Sequence, residues 1–252
     1  MFMKKITILL AEDHPIVREG FCRVIEFEDD LEVIGEAQNG RQAVEMAKKL
    51  HPDVVLMDIG MPLLNGLEAT RQLLKAVPAT KVIMLSAHSD DAYVTGALES
   101  GAVGFLLKQS SAHDVCRAIL KVHQGKTFFS SSISRHLDHL NLQSLGRTGM
   151  TNKKAPELTS REREVLQLVA EGNANKQTAA ELGIAIKTVE KHREHLMQKL
   201  DIHDTASLTR YAIGAGFIES SVQLAINPLS ILVHDSAAAG NMRGRAPLTE
   251  MR

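Results

Sequence analysis

Short apolar runs recur through the first half of the chain, at residues 6–10, 33–37, 54–57, 82–85 and 103–107, each rich in Val, Ile, Leu or Met. They are too short for helices, and their near-continuous hydrophobicity is that of strands buried on both faces. Between them, residues 16–27, 41–50, 67–77, 92–100 and 112–123 repeat apolar positions at the three-to-four spacing of an amphipathic helix. Five strand–helix units within residues 1–127 predict an α/β domain, a (βα)5 parallel sheet with helices on both faces. In such doubly wound sheets, sites form at the carboxyl ends of the strands.

The pattern then changes twice. Residues 128–156 are polar and turn-rich, with one short amphipathic piece at 133–145, and read as a linker with a possible helix. His136 and His139 share a helical face there, but too few neighbouring ligands accompany them for a metal site. Residues 157–219 predict an all-α, four-helix domain. Thr159 and Glu162 have capping-box spacing, so a first helix starts at Ser160, and Gly172 stops it. Further helices are expected over 176–182, 187–200 and 206–215, with a tight turn at Gly183-Ile184. Residues 220–252 form a tail without periodicity past about residue 234, expected to be largely disordered.

Composition adds limits. Net charge is -1, and residues 151–220 hold 10 basic and 10 acidic side chains, so any nucleic-acid role rests on local pattern and not on bulk charge. Cys22 and Cys116, each in an apolar helical context, read as reduced, packed thiols of a cytoplasmic protein. No apolar run approaches the ~18 residues of a membrane span.

Chemistry-bearing residues fall at the strand ends. Glu12 and Asp13 follow the first strand, Asp58 the third, Ser86 the fourth and Lys108 the fifth. A parallel sheet brings these to one edge. Clustered carboxylates raise one another's pKa, and a hard divalent cation relieves the repulsion. A carboxylate in that setting can attack a phosphoryl group, with an amine and a hydroxyl stabilising the equatorial oxygens.

These residues resemble the receiver domain of response regulators over about residues 4–126. Asp58-Ile59-Gly60-Met61-Pro62 with Asn65-Gly66 resembles the phosphoacceptor segment, Glu12-Asp13 the acidic metal pair, Ser86-Ala87 the hydroxyl step, Lys108 the lysine and Phe105 the aromatic switch. The resemblance implies a flavodoxin-like fold, phosphorylation at Asp58, and Mg²⁺ or another divalent cation held by Asp13, Asp58 and the Gly60 carbonyl. Glu12 would assist through water, and Ser86 and Lys108 would contact the phosphoryl group. It also suggests that Phe105 rotates inward as phosphorylation pulls Ser86 toward Asp58. Gln109 departs from the proline that often follows the lysine, and with it goes an expected cis bond.

The last helices have helix-turn-helix spacing. Residues 158–166 and Lys187-Thr188-Val189-Glu190-Lys191-His192 resemble the start and the recognition helix of LuxR-type effectors. Residues 4–219 together therefore resemble the NarL/FixJ family of response regulators. With Val189, Leu196 and Leu200 inward, the resemblance implies that Lys187, Thr188, Glu190, Lys191, His192, Arg193 and Glu194 meet double-stranded DNA. Ala185-Ile186 departs from the usual Ser or Thr cap and polar residue, which leaves the helix uncapped and Ile186 exposed. A sensor histidine kinase as phosphodonor, homodimerisation on phosphorylation, possible contact with RNA polymerase and no membrane attachment follow from the same resemblance. Beyond self-phosphorylation and dephosphorylation, no second catalytic constellation is present, so the chain is not read as an enzyme. An adaptor that binds protein instead of DNA is the alternative.

Overall fold

The computed structural model describes residues 4–129 and 157–218. The expected helix at 133–145, the His136/His139 pair and the tail after residue 220 lie outside them. The first domain runs β1 (Ile6–Ala11), α1 (Pro15–Glu26), β2 (Leu31–Ala37), α2 (Gly40–Leu50), β3 (Val54–Asp58), α3 (Gly66–Ala76), β4 (Lys81–Ser86), α4 (Asp91–Ser100), β5 (Gly104–Leu107), α5 (Ala112–His123) and β6 (Phe128–Phe129). All strand pairs are parallel, in the order β2-β1-β3-β4-β5-β6. Strand order reverses at β1, where a crevice opens between the carboxyl ends of β1 and β3.

Side-chain alternation along the strands divides the core in two. Leu9, Val55, Met57, Val82, Met84 and Phe105 face α2, α3 and α4. Ile8, Leu10, Val54, Leu56, Ile83, Leu85 and Leu106 face α1 and α5. Helix starts carry their own caps: the Asn39, Asn65 and Ser111 side chains accept from the backbone N–H of Gln42, Glu68 and Asp114.

Five strands were expected; the sheet has six. Phe128 and Phe129 pair with Gly104 and Phe105 and close the β5 edge, at residues read from the sequence as the start of a linker. Arg117 and Lys121, one turn apart on α5, lie over the Phe128 ring at 5.3 and 5.6 Å.

The second domain comprises α6 (Ser160–Ala170), α7 (Asn175–Leu182), α8 (Ile186–Leu200) and α9 (Thr205–Gly214) around Val165, Leu166, Val189, Leu196 and Leu208. Gly172 and Gly183 take positive φ at the ends of α6 and α7, a conformation without penalty for glycine alone. The α6 capping box forms as its spacing predicts. Burial pulls Glu162 toward a higher pKa, but the Lys199 ammonium at 2.7 Å and hydrogen bonds from Thr159 hold it below the ordinary glutamate range. A depressed pKa contributes stability that is present above the unfolded value and is lost as pH falls through the folded one. Glu162→Gln should therefore lower stability at neutral pH by about 1 kcal/mol and flatten the loss on acidification below the ordinary glutamate pKa. Urea unfolding of the full chain at several pH values reads both; an unchanged acid slope would refute it.

Candidate functional site

β1, β3, β4 and β5 end level with one another, because their parallel register pairs Asp58 with Leu85 and Ser86 with Leu107. Lys108 follows β5 at once, its N–H donating to the Ser86 carbonyl. Its ammonium lies 3.0 Å from Asp58 Oδ1 and 2.9 Å from Glu12 Oε2, and both carboxylates are fully buried. Burial works against the charge on Lys108, but Asp58 and Glu12 outweigh it and raise its pKa. Arg18 donates to the Glu12 carbonyl at 2.7 Å and ties down the strand end.

Asp13 completes the acidic group, and His14, not singled out in the sequence, joins it. Its Nδ1 lies 2.9 Å from Glu12 Oε1 and 2.8 Å from Asp13 Oδ1, and its pKa is raised, chiefly by the hydrogen bond with Glu12. Ligand atoms of Glu12, Asp13, His14 and Asp58 all lie within 4.8 Å of one another. Three carboxylates against one half-buried ammonium leave negative charge to be offset. Their hard oxygens suit Mg²⁺ or a similar ion. The adjacency of His14 to Glu12-Asp13 was the only sequence signal for its place here.

The segment after Asp58 is set by close backbone approach. A Cβ on Gly66 would stand 2.0 Å from the Asp58 carbonyl oxygen, and one on Gly40 would stand 2.2 Å from that of Leu64. Glycine is thus required for the helix starts to pack against the phosphoacceptor-like loop. Gly60 is half-buried in that loop. Ser86 is buried, its hydroxyl accepting from the His88 N–H at 3.0 Å.

Phe105 lies on β5. Its ring has no exposed surface and packs in the cluster with Met84, Ala97 and Ala102.

On α8, Val189 and Leu196 are fully buried, while Lys187, Thr188, Glu190, Lys191 and Glu194 are exposed along the opposite face. Two residues grouped with them from sequence are placed otherwise. His192 is half-buried, being three residues from Val189 and four from Leu196, on the core side. Arg193 is half-buried and donates to Asn175 Oδ1 on α7 and to the Thr205 hydroxyl on α9, so it braces the three helices. As expected, Ala185 supplies no side-chain cap, and Ile186 is 43% exposed.

The two domains are docked, a feature no sequence pattern indicated. The Gln167 side-chain amide of α6 accepts from the Asn65 N–H at 2.7 Å and donates to the Met61 carbonyl at 3.0 Å. Asn65 Nδ2 donates to the Phe217 carbonyl. Leu63, at φ 68°, donates its N–H to Glu171 and puts its side chain against the second domain's core. That left-handed backbone costs a leucine roughly 1–2 kcal/mol. Arg41 pairs with Glu164 and Glu181, and Ser160 donates to Glu68. The receiver side of this contact is the loop that begins just after Asp58, together with Arg41 of α2 and Glu68 of α3.

A parallel sheet with an acidic pocket and lysine at its strand ends, joined to a helix-turn-helix domain, defines a two-component response regulator. Comparisons agree. Residues 8–120 match the response regulator receiver domain model, and 156–212 match that of bacterial regulatory proteins of the luxR family. The chain is 36% identical over 226 residues to the transcriptional regulatory protein DegU of Brevibacillus brevis, covering 85% of this chain and 96% of that one. It is 38% identical over 207 residues to LiaR of Bacillus subtilis, covering 82% and 96%. Among solved structures, the RcsB response regulator of Salmonella typhimurium aligns at TM-score 0.52 and 27% identity over 83% of this chain and 98% of its own. An RcsB–DNA complex aligns at 0.52 and 26% over 84% and 99%. The chain belongs to the NarL/FixJ family of response regulators, with a receiver and a LuxR-type DNA-binding domain. Receiver domains bind Mg²⁺ in an acidic pocket, and here an acidic cluster surrounds Asp58. Among the described residues no helix is long and apolar enough to cross a membrane.

Proposed function

We propose that Asp58 accepts a phosphoryl group from a sensor histidine kinase, and that this controls homodimerisation and sequence-specific binding to double-stranded DNA in the cytoplasm. Residues 1–127 serve as the receiver, 128–156 as the linker and 157–219 as the reader of DNA. An Asp58 carboxylate oxygen bonds to phosphorus as the bond from phosphorus to the kinase histidine nitrogen breaks. Lys108 moves from its carboxylate partners toward the new phosphoryl oxygens, and the Ser86 hydroxyl donates to another. Asp13, Asp58 and the Gly60 carbonyl, assisted by Glu12, would hold Mg²⁺, which would supply positive charge against the carboxylates and the phosphoryl group. Dephosphorylation is the reverse need, water replacing the aspartyl oxygen at phosphorus.

The observation that carries this reading is the Lys108 ammonium within 3.0 Å of both buried carboxylates at the crevice. A second observation bears on the output. Lys187, Thr188, Glu190, Lys191 and Glu194 are exposed while the receiver is docked on α6 and α7. Control by unmasking the recognition helix is therefore disfavoured, and control through dimerisation onto two half-sites is favoured. A dimer so placed could also touch RNA polymerase. Phe105, packed with Met84, Ala97 and Ala102, is read as the aromatic switch that repacks as Ser86 moves toward the phosphoryl group.

Selection from a random DNA pool, with and without a small phosphodonor and Mg²⁺, tests the proposal, with Asp58→Ala as control. An inverted repeat recovered mainly with phosphorylated wild type is expected. Equal recovery from every sample would make the chain a constitutive binder, and no enrichment would favour a protein-binding adaptor. On the selected site, Lys191→Ala should weaken binding by about 1–3 kcal/mol if it reads a base, or reduce the salt slope by about one if it meets a phosphate. Arg193→Ala should act through stability instead. The reverse pattern in gel shifts and melting curves would refute the placement of these two residues.

A further inference from the structure

Between the receiver and the DNA-binding domain lies a cleft of about 760 Å³, and neither the acidic pocket nor the recognition helix uses it. Its volume is that of a small-molecule site, and clefts between domains are where such sites commonly form. α3 supplies Arg71 and Lys75, one turn apart, and α6 supplies Arg163. Tyr211 and Phe217, both half-buried against the second domain's core, line the cleft from that side.

Two of these cations share one buried carboxylate. Arg71 and Arg163 are only 21% and 20% exposed, and both reach for the same oxygen of one buried carboxylate, Glu68 Oε2, each at 3.5 Å. Close charge-assisted pairs lie near 2.7–2.9 Å. The other oxygen of Glu68 is taken by Ser160 and Gln72. Burial, and next the charge of Arg163, push Arg71 below its ordinary pKa, so the two guanidiniums repel. Glu99, whose charge also acts on Arg71, and Glu157 line the cleft from exposed positions.

We propose that this cleft binds a small phosphorylated organic molecule, its phosphate groups on Arg71, Lys75 and Arg163 and a planar body against Tyr211 and Phe217. A ligand that needs both walls binds the docked chain better than the undocked one, and so favours docking. Such a ligand couples a metabolite level to the regulator independently of Asp58.

Calorimetric titration of the full chain with pyrophosphate and with ADP, in chelator so that the acidic pocket takes no part, tests this. Wild type and Asp58→Ala should bind both, ADP about tenfold more tightly. Lys75→Gln, on an exposed position, should weaken both several-fold, and Arg71→Gln at least tenfold with the fold checked by circular dichroism. The double variant Lys187→Gln/Lys191→Gln should bind as wild type does. Absence of binding to wild type, unchanged affinity in Lys75→Gln, or loss in the recognition-helix double variant would each overturn the site. Equal affinity for the two probes would overturn the role of the aromatic wall. Failure of Asp58 phosphorylation would leave all of these readings standing, so the two proposals fail separately.

Discussion

Replacing Asp58 with asparagine is expected to reduce phosphoryl incorporation from a small donor with Mg²⁺ to background, measured by intact mass, while the chain stays folded. The amide keeps the volume of the buried side chain but lacks the anionic oxygen that forms the acyl phosphate. The fold should tolerate the change because the pocket holds more carboxylate than ammonium: Lys108 is shared between Asp58 and Glu12, and loss of one negative charge relieves their repulsion. Stability should be equal to wild type or greater. Incorporation at a wild-type rate would move the acceptor to another residue, with Asp13 first to be tested.

Lys108→Met should have the opposite character, costing much in stability as well as in chemistry. Removing one partner of a buried ion pair strands the other, at a cost of about 3–5 kcal/mol. Here Glu12 keeps His14 at 2.9 Å, so the cost should fall near 3 kcal/mol at the lower end of that range. Added Mg²⁺ should recover part of the loss, since a divalent cation at the carboxylates replaces the missing positive charge. Urea unfolding with and without Mg²⁺ measures both. A variant as stable as wild type without the ion would mean that water already satisfies the two carboxylates.

Most of the fold was legible because its signals are local. The five long strands and their helices agree with the hydrophobic pattern to within one or two residues, and the α6 cap could be placed from Thr159 and Glu162 alone. Strand-end chemistry was legible for a related reason: a parallel sheet with level ends brings together whatever follows each apolar run. What escaped depends on distant partners. Phe128–Phe129 is too short to show a period, and its pairing rests on Gly104, whose missing side chain lets the Phe128 carbonyl come within 3.2 Å of where a Cβ would stand. Arg193 shares a helix with Lys191, and only the positions of Asn175 and Thr205 turn it inward. The docking contact joins Asn65 to Gln167, 102 residues apart, through one polar side chain of a kind common on helix surfaces. His192 could have been assigned to the core side from its spacing to Val189 and Leu196, had the helical wheel been weighed above motif likeness.

Leu63 bears on how this protein can be dissected. Its side chain belongs to the hydrophobic cluster of the DNA-binding half although it is carried by the receiver. A fragment that begins after residue 156 would therefore present water with the apolar surface on which Leu63 rests, together with Gln167 stripped of both its backbone partners. Such a fragment is not an excised copy of the docked domain but a different surface. Self-association or stickiness measured on it would describe the wound left by truncation and not the intact regulator.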